Sequence, residues 1–149
     1  MERIQTAAAA AILAIVIAAT FPLPVRSAGM LGSRAVYTAA QAAAGARLYA
    51  AQCSSCHAAT LRGGIGPALI GDGFTAQWSG EPASDPYKMM TANMPQNAPG
   101  SLKPAEYVDI MAFILQRNAF PAGPMPLTAA RLQDVTLHAP PNSPPVGRK

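Results

Sequence analysis

The sequence predicts an all-α fold in which three main helices are joined by long loops rich in glycine and proline. Thr38 and Gln41 have the spacing of a capping box at the start of an alanine-rich run that extends to about Gln52. Further on, apolar residues recur at helical spacing from Pro104 to about Asn118. Neither a strand-like alternation nor an internal repeat is evident in the 149 residues.

The N-terminal residues 1–27 have the composition of an export signal. A positively charged start precedes an apolar stretch, Ala7–Ala19, which is shorter than the roughly 20 residues that a membrane span needs. We expect cleavage after Ser27, and the alternative is retention as an uncleaved anchor, the only case in which a membrane would be a partner. Both interpretations place the rest of the chain in the periplasm, with residues 28–37 as a lead-in.

The first helix opens the domain, which we assign to residues 38–123. Gly45 lies inside this helix, where glycine is less favourable than alanine by about 1 kcal/mol. It precedes Tyr49 by four residues, so the two share a face. A position without a side chain beside an aromatic ring suits close crossing by a second helix.

The remaining segments are loops, two helices and a tail. Residues 58–80 are predicted as loop because glycine and proline are frequent and helical periodicity is missing. A short helix is predicted with Asp85 as its cap and Asn93 near its end, and the amphipathic helix from Pro104 follows. Residues 124–149 contain six prolines and are predicted to be an extended or disordered tail.

The charge distribution excludes one class of function. The chain has a formal net charge of +4, but much of the excess lies near its two ends, and the central domain is nearly neutral. We find no basic stripe with interleaved aromatic residues of the kind that nucleic-acid binding uses. We therefore expect no nucleic-acid partner.

The two cysteines of the chain form one motif, Cys53-Ser-Ser-Cys56-His57. This spacing is typical of a covalent c-type haem attachment site, in which each thiol forms a thioether and the adjacent imidazole ligates the iron. One alternative is a thioredoxin-like redox pair, which needs a βαβ context that is missing here. Another is part of a zinc site, for which the remaining histidine, His138, lies in the tail.

With the residues around it, this motif resembles the class I cytochromes c over about residues 38–120. The resemblance implies their fold, with three main helices packed around one covalently attached haem c. It rests on elements that follow in the family's order: Gly45, Tyr49, Gly66-Pro67-Ala68-Leu69, Trp78, Met94-Pro95 and the last helix.

The resemblance also implies roles for individual residues. Cys53 and Cys56 would form the thioethers, and His57 and Met94 would be the axial ligands of the iron. Met90 is the nearest competitor of Met94, since methionine often only fills a core. Three further residues would contact the bound group or its ligand: Pro67 as carbonyl acceptor for the second ring nitrogen of His57, Leu69 by packing, and Trp78 by an indole hydrogen bond to a propionate.

Occupation of both axial positions by protein ligands reduces the expected chemistry to one-electron exchange. We therefore expect an electron carrier, not an enzyme, in a periplasmic respiratory or dehydrogenase-linked chain. It would act free or as the small haem subunit of a dehydrogenase, because the run from Met94 to Gly123 is similar to cytochromes that accompany quinoprotein and related dehydrogenases. Its partners would be redox proteins, a dehydrogenase or an oxidase. The alternative is a haem enzyme with an open or displaceable sixth ligand, for peroxidase-like or small-molecule redox catalysis.

Overall fold

The computed structural model describes residues 35–138, so the expected export signal, most of the lead-in and the last part of the tail lie outside the described residues. Two isolated bridges are the only extended pairings among residues 35–138, which confirms the all-α prediction. No helix in that range is both long and apolar enough to cross a membrane. The helices are α1 (Ala39–Gln52), α2 (Ser54–His57), α3 (Gly71–Trp78), α4 (Ser84–Asn93) and α5 (Pro104–Arg117), followed by a 3-10 helix (Ala129–Asp134).

The helices α1 and α5 cross at Gly45, as the sequence predicts. The Thr38 hydroxyl accepts a hydrogen bond from the Gln41 backbone N–H and begins α1 in the expected capping box. A Cβ added at Gly45 would overlap the backbone carbonyl of Asp109 on α5. One turn later the rings of Tyr49 and Phe113 pack with their centroids 5.5 Å apart. The crossing is therefore close because one helix lacks a side chain where the other passes.

The helix α5 forms the centre of the core. Its predicted apolar stripe is buried, with Ile110, Met111 and Leu115 at most 1% exposed. At its start, the Glu106 carboxylate accepts a 2.7 Å hydrogen bond from the Lys103 backbone N–H. At its end, the Phe120 N–H donates to the Leu115 carbonyl at 3.0 Å and closes the last turn.

The structure differs from the sequence prediction at one additional helix and at the start of another. Gly71–Trp78 is helix α3, although this segment was expected to be loop. The burial of Phe74, which is 5% exposed, outweighs the low helix propensity of the glycines beside it. In α4 the N-cap is Ala83 instead of Asp85, and the Asp85 carboxylate accepts from Ser84 and Lys88 instead.

The C-terminal segment also differs from the prediction of an extended or disordered tail. Residues 124–138 pack against the domain, and Leu127, Leu132 and Leu137 are each at most 2% exposed. Backbone hydrogen bonds join Ala83 N–H to the Val135 carbonyl at 2.8 Å and Leu137 N–H to the Glu81 carbonyl at 2.8 Å. Proline content suggested a chain without a core, but three leucines provide the apolar area that orders it.

Candidate functional site

A cavity of about 700 Å³ lies between the Cys53–His57 motif, the following loop, α3, the end of α4 and the inner face of α5. This volume is within the range of cofactor sites in proteins. The cavity wall contains all seven residues that the sequence assigns to the site: Cys53, Cys56, His57, Pro67, Leu69, Trp78 and Met94.

The short turn α2 brings the motif residues to one wall. The helix α1 ends at Gln52 with Cys53 as its C-cap, and the His57 N–H donates to the Cys53 carbonyl at 2.9 Å, so the chain makes one further turn there. Both cysteines are free and half-buried. Burial, and secondarily the neighbouring Cys56 sulfur, raises the pKa of the Cys53 thiol to about 11. The thioredoxin-like alternative needs a βαβ unit around the cysteine pair, and residues 35–138 contain no such unit.

His57 is buried at the cavity wall with one ring nitrogen engaged. Its Nδ1 lies 2.8 Å from the carbonyl oxygen of Pro67, the hydrogen bond that the resemblance implied. Because a carbonyl can only accept, Nδ1 carries a proton, and in the neutral imidazole Nε2 then keeps its lone pair. The ring is therefore held in the tautomer that a metal ligand through Nε2 requires.

The glycine-rich loop wraps closely around this imidazole. The Gly66 N–H donates to the Cys56 carbonyl at 2.9 Å, and the Gly63 N–H to the His57 carbonyl at 3.2 Å. A Cβ at Gly66 would lie 2.8 Å from Cε1 of the His57 ring. Glycine is thus required here by the approach of backbone to ring, and the loop fixes the ring's orientation.

Met94 lies at the C-terminal end of α4 and is half-buried at the cavity wall. Its N–H donates to the Met90 carbonyl at 2.8 Å, and its own carbonyl accepts from the Tyr107 hydroxyl at 2.6 Å. Met89, Met90 and Met111 also line the cavity. The assignment of Met94 among these four thioethers stays a prediction that rests on the resemblance.

Leu69 and Trp78 line other parts of the wall. Leu69 is held by its N–H, which donates to the Leu61 carbonyl at 2.8 Å, and by its carbonyl, which accepts from Asn118 Nδ2 at 2.9 Å. Trp78 is half-buried at the end of α3, and its indole N–H has no protein acceptor among residues 35–138. The propionate hydrogen bond that the resemblance implies for this N–H stays a prediction.

Sequence reasoning missed a set of side-chain bonds to backbone carbonyls that support the site. Tyr49 donates to the Ala58 carbonyl at 2.6 Å, directly after His57, and Tyr107 and Asn118 hold the carbonyls of Met94 and Leu69. Burial raises the pKa of Tyr49 to about 12, so its hydroxyl remains a donor. The sequence did contain a signal for the two tyrosine bonds. Tyrosine, not phenylalanine, occupies these buried helix positions, and a buried hydroxyl needs an acceptor.

These residues fit a covalently attached haem. Two thiols and an imidazole with a free Nε2 share one largely apolar cavity with thioether sulfurs. The zinc alternative lacks ligands: no three His, Cys, Asp or Glu side chains within residues 35–138 lie close enough to hold a metal ion. His138 packs on the Phe120 ring instead, with centroids 4.5 Å apart.

Comparison with known proteins gives one family match. The family model described as cytochrome c oxidase, cbb3-type, subunit III matches residues 40–114. No curated protein matched the chain. A solved structure that matches is the sulfane dehydrogenase SoxCD from Paracoccus pantotrophus, with 25% identity over 68% of this chain and a TM-score of 0.49. The chain spans about half of that structure's chain, 54%.

Proposed function

Because the chain belongs to the family described as cytochrome c oxidase, cbb3-type, subunit III, and is a monohaem class I cytochrome c, we propose that it carries single electrons in a periplasmic chain. It contains one covalent haem c with iron. We propose that it works free or as the small haem subunit of a dehydrogenase or oxidase complex. The periplasmic location rests on the export-signal pattern of residues 1–27.

The proposed residue roles are those that the resemblance implies, and they are supported by the position of all these residues in the cavity wall. Cys53 and Cys56 would form the thioethers of the haem, and His57 through Nε2 and Met94 through its sulfur would hold the iron. When bound, the haem iron exchanges one electron between its ferric and ferrous states, with a potential raised by a methionine ligand. Pro67 holds the imidazole in position, and the apolar inner face of α5 keeps water from the cavity.

The observation that carries the proposal is the 2.8 Å contact of His57 Nδ1 with the Pro67 carbonyl, in a cavity that both cysteines line. This hydrogen bond orients the one histidine that lines the cavity. No second imidazole lines the cavity to act as a general acid or base. None of the lining residues is Asp, Glu, Lys or Arg. A peroxidase-like reaction needs a distal acid or base, so the cavity favours a carrier over an enzyme.

The first experiment tests attachment and coordination together. The full chain is produced in a host that installs c-type haem, and haem staining after denaturing electrophoresis is compared with that of a Cys53→Ala, Cys56→Ala double variant. We expect stained parent protein, unstained variant, and no spectral response of the reduced parent to carbon monoxide. A rapid response to carbon monoxide would favour the open-site enzyme, and a colourless parent would overturn the haem assignment.

A second experiment tests the distal ligand. Met94→Ala removes the proposed sulfur ligand and should abolish the weak near-infrared sulfur-to-iron charge-transfer band, lower the reduction potential and permit carbon monoxide binding. Met90→Ala is the matched control, since Met90 lines the same cavity and is 8% exposed in the parent protein. The control should keep the band. Loss of the band in the Met90 variant alone would reassign the ligand.

A further inference from the structure

Three side chains form a stack that leads from the protein surface to the cavity wall. Arg117 is exposed in the last turn of α5, and its Cζ lies 5.9 Å from the centroid of the Phe113 ring, a cation-π contact. The Phe113 ring packs on Tyr49 with centroids 5.5 Å apart, and Tyr49 lines the cavity. Phe113 and Tyr49 are 8% and 2% exposed, so two buried aromatic rings separate the charge from the cavity.

The charge of Arg117 has no paired carboxylate within residues 35–138, where the only ion pair lies within α4. Burial raises the pKa of Tyr49 to about 12, and the Arg117 charge opposes this rise. The field of the guanidinium therefore reaches the phenol oxygen of Tyr49. That hydroxyl donates to the Ala58 carbonyl at 2.6 Å, directly after His57. The positive charge thus acts on a group that contacts the backbone of the haem-binding motif.

We propose that Arg117 raises the reduction potential of the bound haem, because the rings of Phe113 and Tyr49 hold its positive charge at a fixed place behind the cavity wall. The proposal rests on the carrier function proposed above. Reduction removes one positive charge from the site, so a nearby cation destabilises the oxidised form more than the reduced form. The two rings strengthen this effect, since a field that passes through buried apolar groups is screened less than one that passes through water.

The equilibrium constant for reduction tests the proposal, measured by redox titration of the full haem-loaded protein against a small reference dye. At about 0.1 M salt, Arg117→Gln should lower this constant about twofold to threefold. Arg117→Lys keeps the charge and should stay closer to the parent than Arg117→Gln does. Arg47→Gln is the matched control, because it removes the same charge from an exposed position on α1, two residues from Tyr49 and so on another face of the helix. The control should change the constant by less than about 1.3-fold.

A double-mutant cycle tests whether the rings hold the charge in place. Phe113→Leu removes the ring beneath the guanidinium at a residue that does not line the cavity. In that background Arg117→Gln should change the constant by less than about 1.5-fold. A role of Arg117 only in stabilising the end of α5 would change stability and leave the potential unchanged.

Three outcomes would overturn the proposal: an Arg117→Gln effect no larger than that of Arg47→Gln, an effect that is undiminished in the Phe113→Leu background, or an Arg117→Lys variant no closer to the parent than Arg117→Gln. Failure of the carrier function itself would appear earlier, as a protein without a reversibly reducible haem spectrum.

Discussion

The Tyr107 hydroxyl joins the last helix to the methionine that is the proposed distal ligand. It donates to the Met94 carbonyl at 2.6 Å, and the tyrosine is 3% exposed. The Gly100 N–H donates to the same carbonyl at 3.4 Å, so the Tyr107 hydroxyl supplies the shorter of its two hydrogen bonds. The hydroxyl therefore restrains the backbone from which the Met94 side chain extends.

Tyr107→Phe should lower the free energy of unfolding by about 1 to 2 kcal/mol and loosen Met94, so that cyanide binds the ferric protein faster than it binds the parent. Stability is measured by denaturant titration, and cyanide binding by stopped-flow spectroscopy. Tyr37→Phe is the matched control: Tyr37 is 2% exposed and donates to the Phe120 carbonyl at 2.7 Å, and Phe120, unlike Met94, does not line the cavity. The control should lose similar stability with unchanged cyanide binding. If cyanide bound both ferric variants at the same rate, Tyr107 would have no role in positioning Met94.

The crossing of α1 and α5 shows how one missing side chain determines the arrangement of two helices. Gly45 meets the Asp109 carbonyl so closely that any larger residue must separate the helices. Tyr49, one turn later, then reaches both the Phe113 ring and the Ala58 carbonyl that follows His57. The position of α1 is transmitted in this way to the haem-binding motif at its end.

Gly45→Ala should lower the free energy of unfolding by about 3 kcal/mol, because the added methyl group overlaps rigid backbone and this outweighs alanine's better helix propensity. Ala43→Gly is a control on the exposed side of the same helix and should lose only about 1 kcal/mol from propensity. Both are measured by denaturant unfolding monitored by far-ultraviolet circular dichroism. An alanine variant as stable as the parent would mean that the helices tolerate a wider separation.

The C-terminal segment, residues 124–138, is part of the folded domain. The 3-10 helix Ala129–Asp134 packs its fully buried Leu132 against the domain, and the residues after it pair with the segment before α4. The family match ends at residue 114, well before this segment. Residues 124–138 thus stabilise the segment that leads into α4, the helix whose C-cap is Met94.

Leu132→Ala should lower the free energy of unfolding by about 2 to 5 kcal/mol, as for other fully buried leucines. Gln133→Ala, an exposed neighbour in the same 3-10 helix, should change it by no more than about 0.5 kcal/mol. Both values come from denaturant titration of the haem-loaded protein. If Leu132→Ala had as small an effect as the control, the segment would not contribute to the fold.

The prediction from sequence succeeded where the information is local. The capping box at Thr38 and the apolar stripe from Pro104 placed α1 and α5, because each depends on residues within a few positions of one another. The Cys53–His57 motif identified the cofactor for the same reason, and the family match agrees with it. The roles of Met94, Leu69 and Trp78 stay predictions.

Long-range contacts explain the parts of the fold and of the site that local sequence patterns did not predict. Helix α3 forms because Phe74 is buried in the core. Residues 127–137 adopt a defined structure because their three leucines are buried against other segments of the domain. The bonds from Tyr107 to Met94 and from Asn118 to Leu69 join residues 13 and 49 positions apart. Propensity describes what a segment favours alone, whereas burial and hydrogen-bond satisfaction depend on which distant groups the fold brings to it.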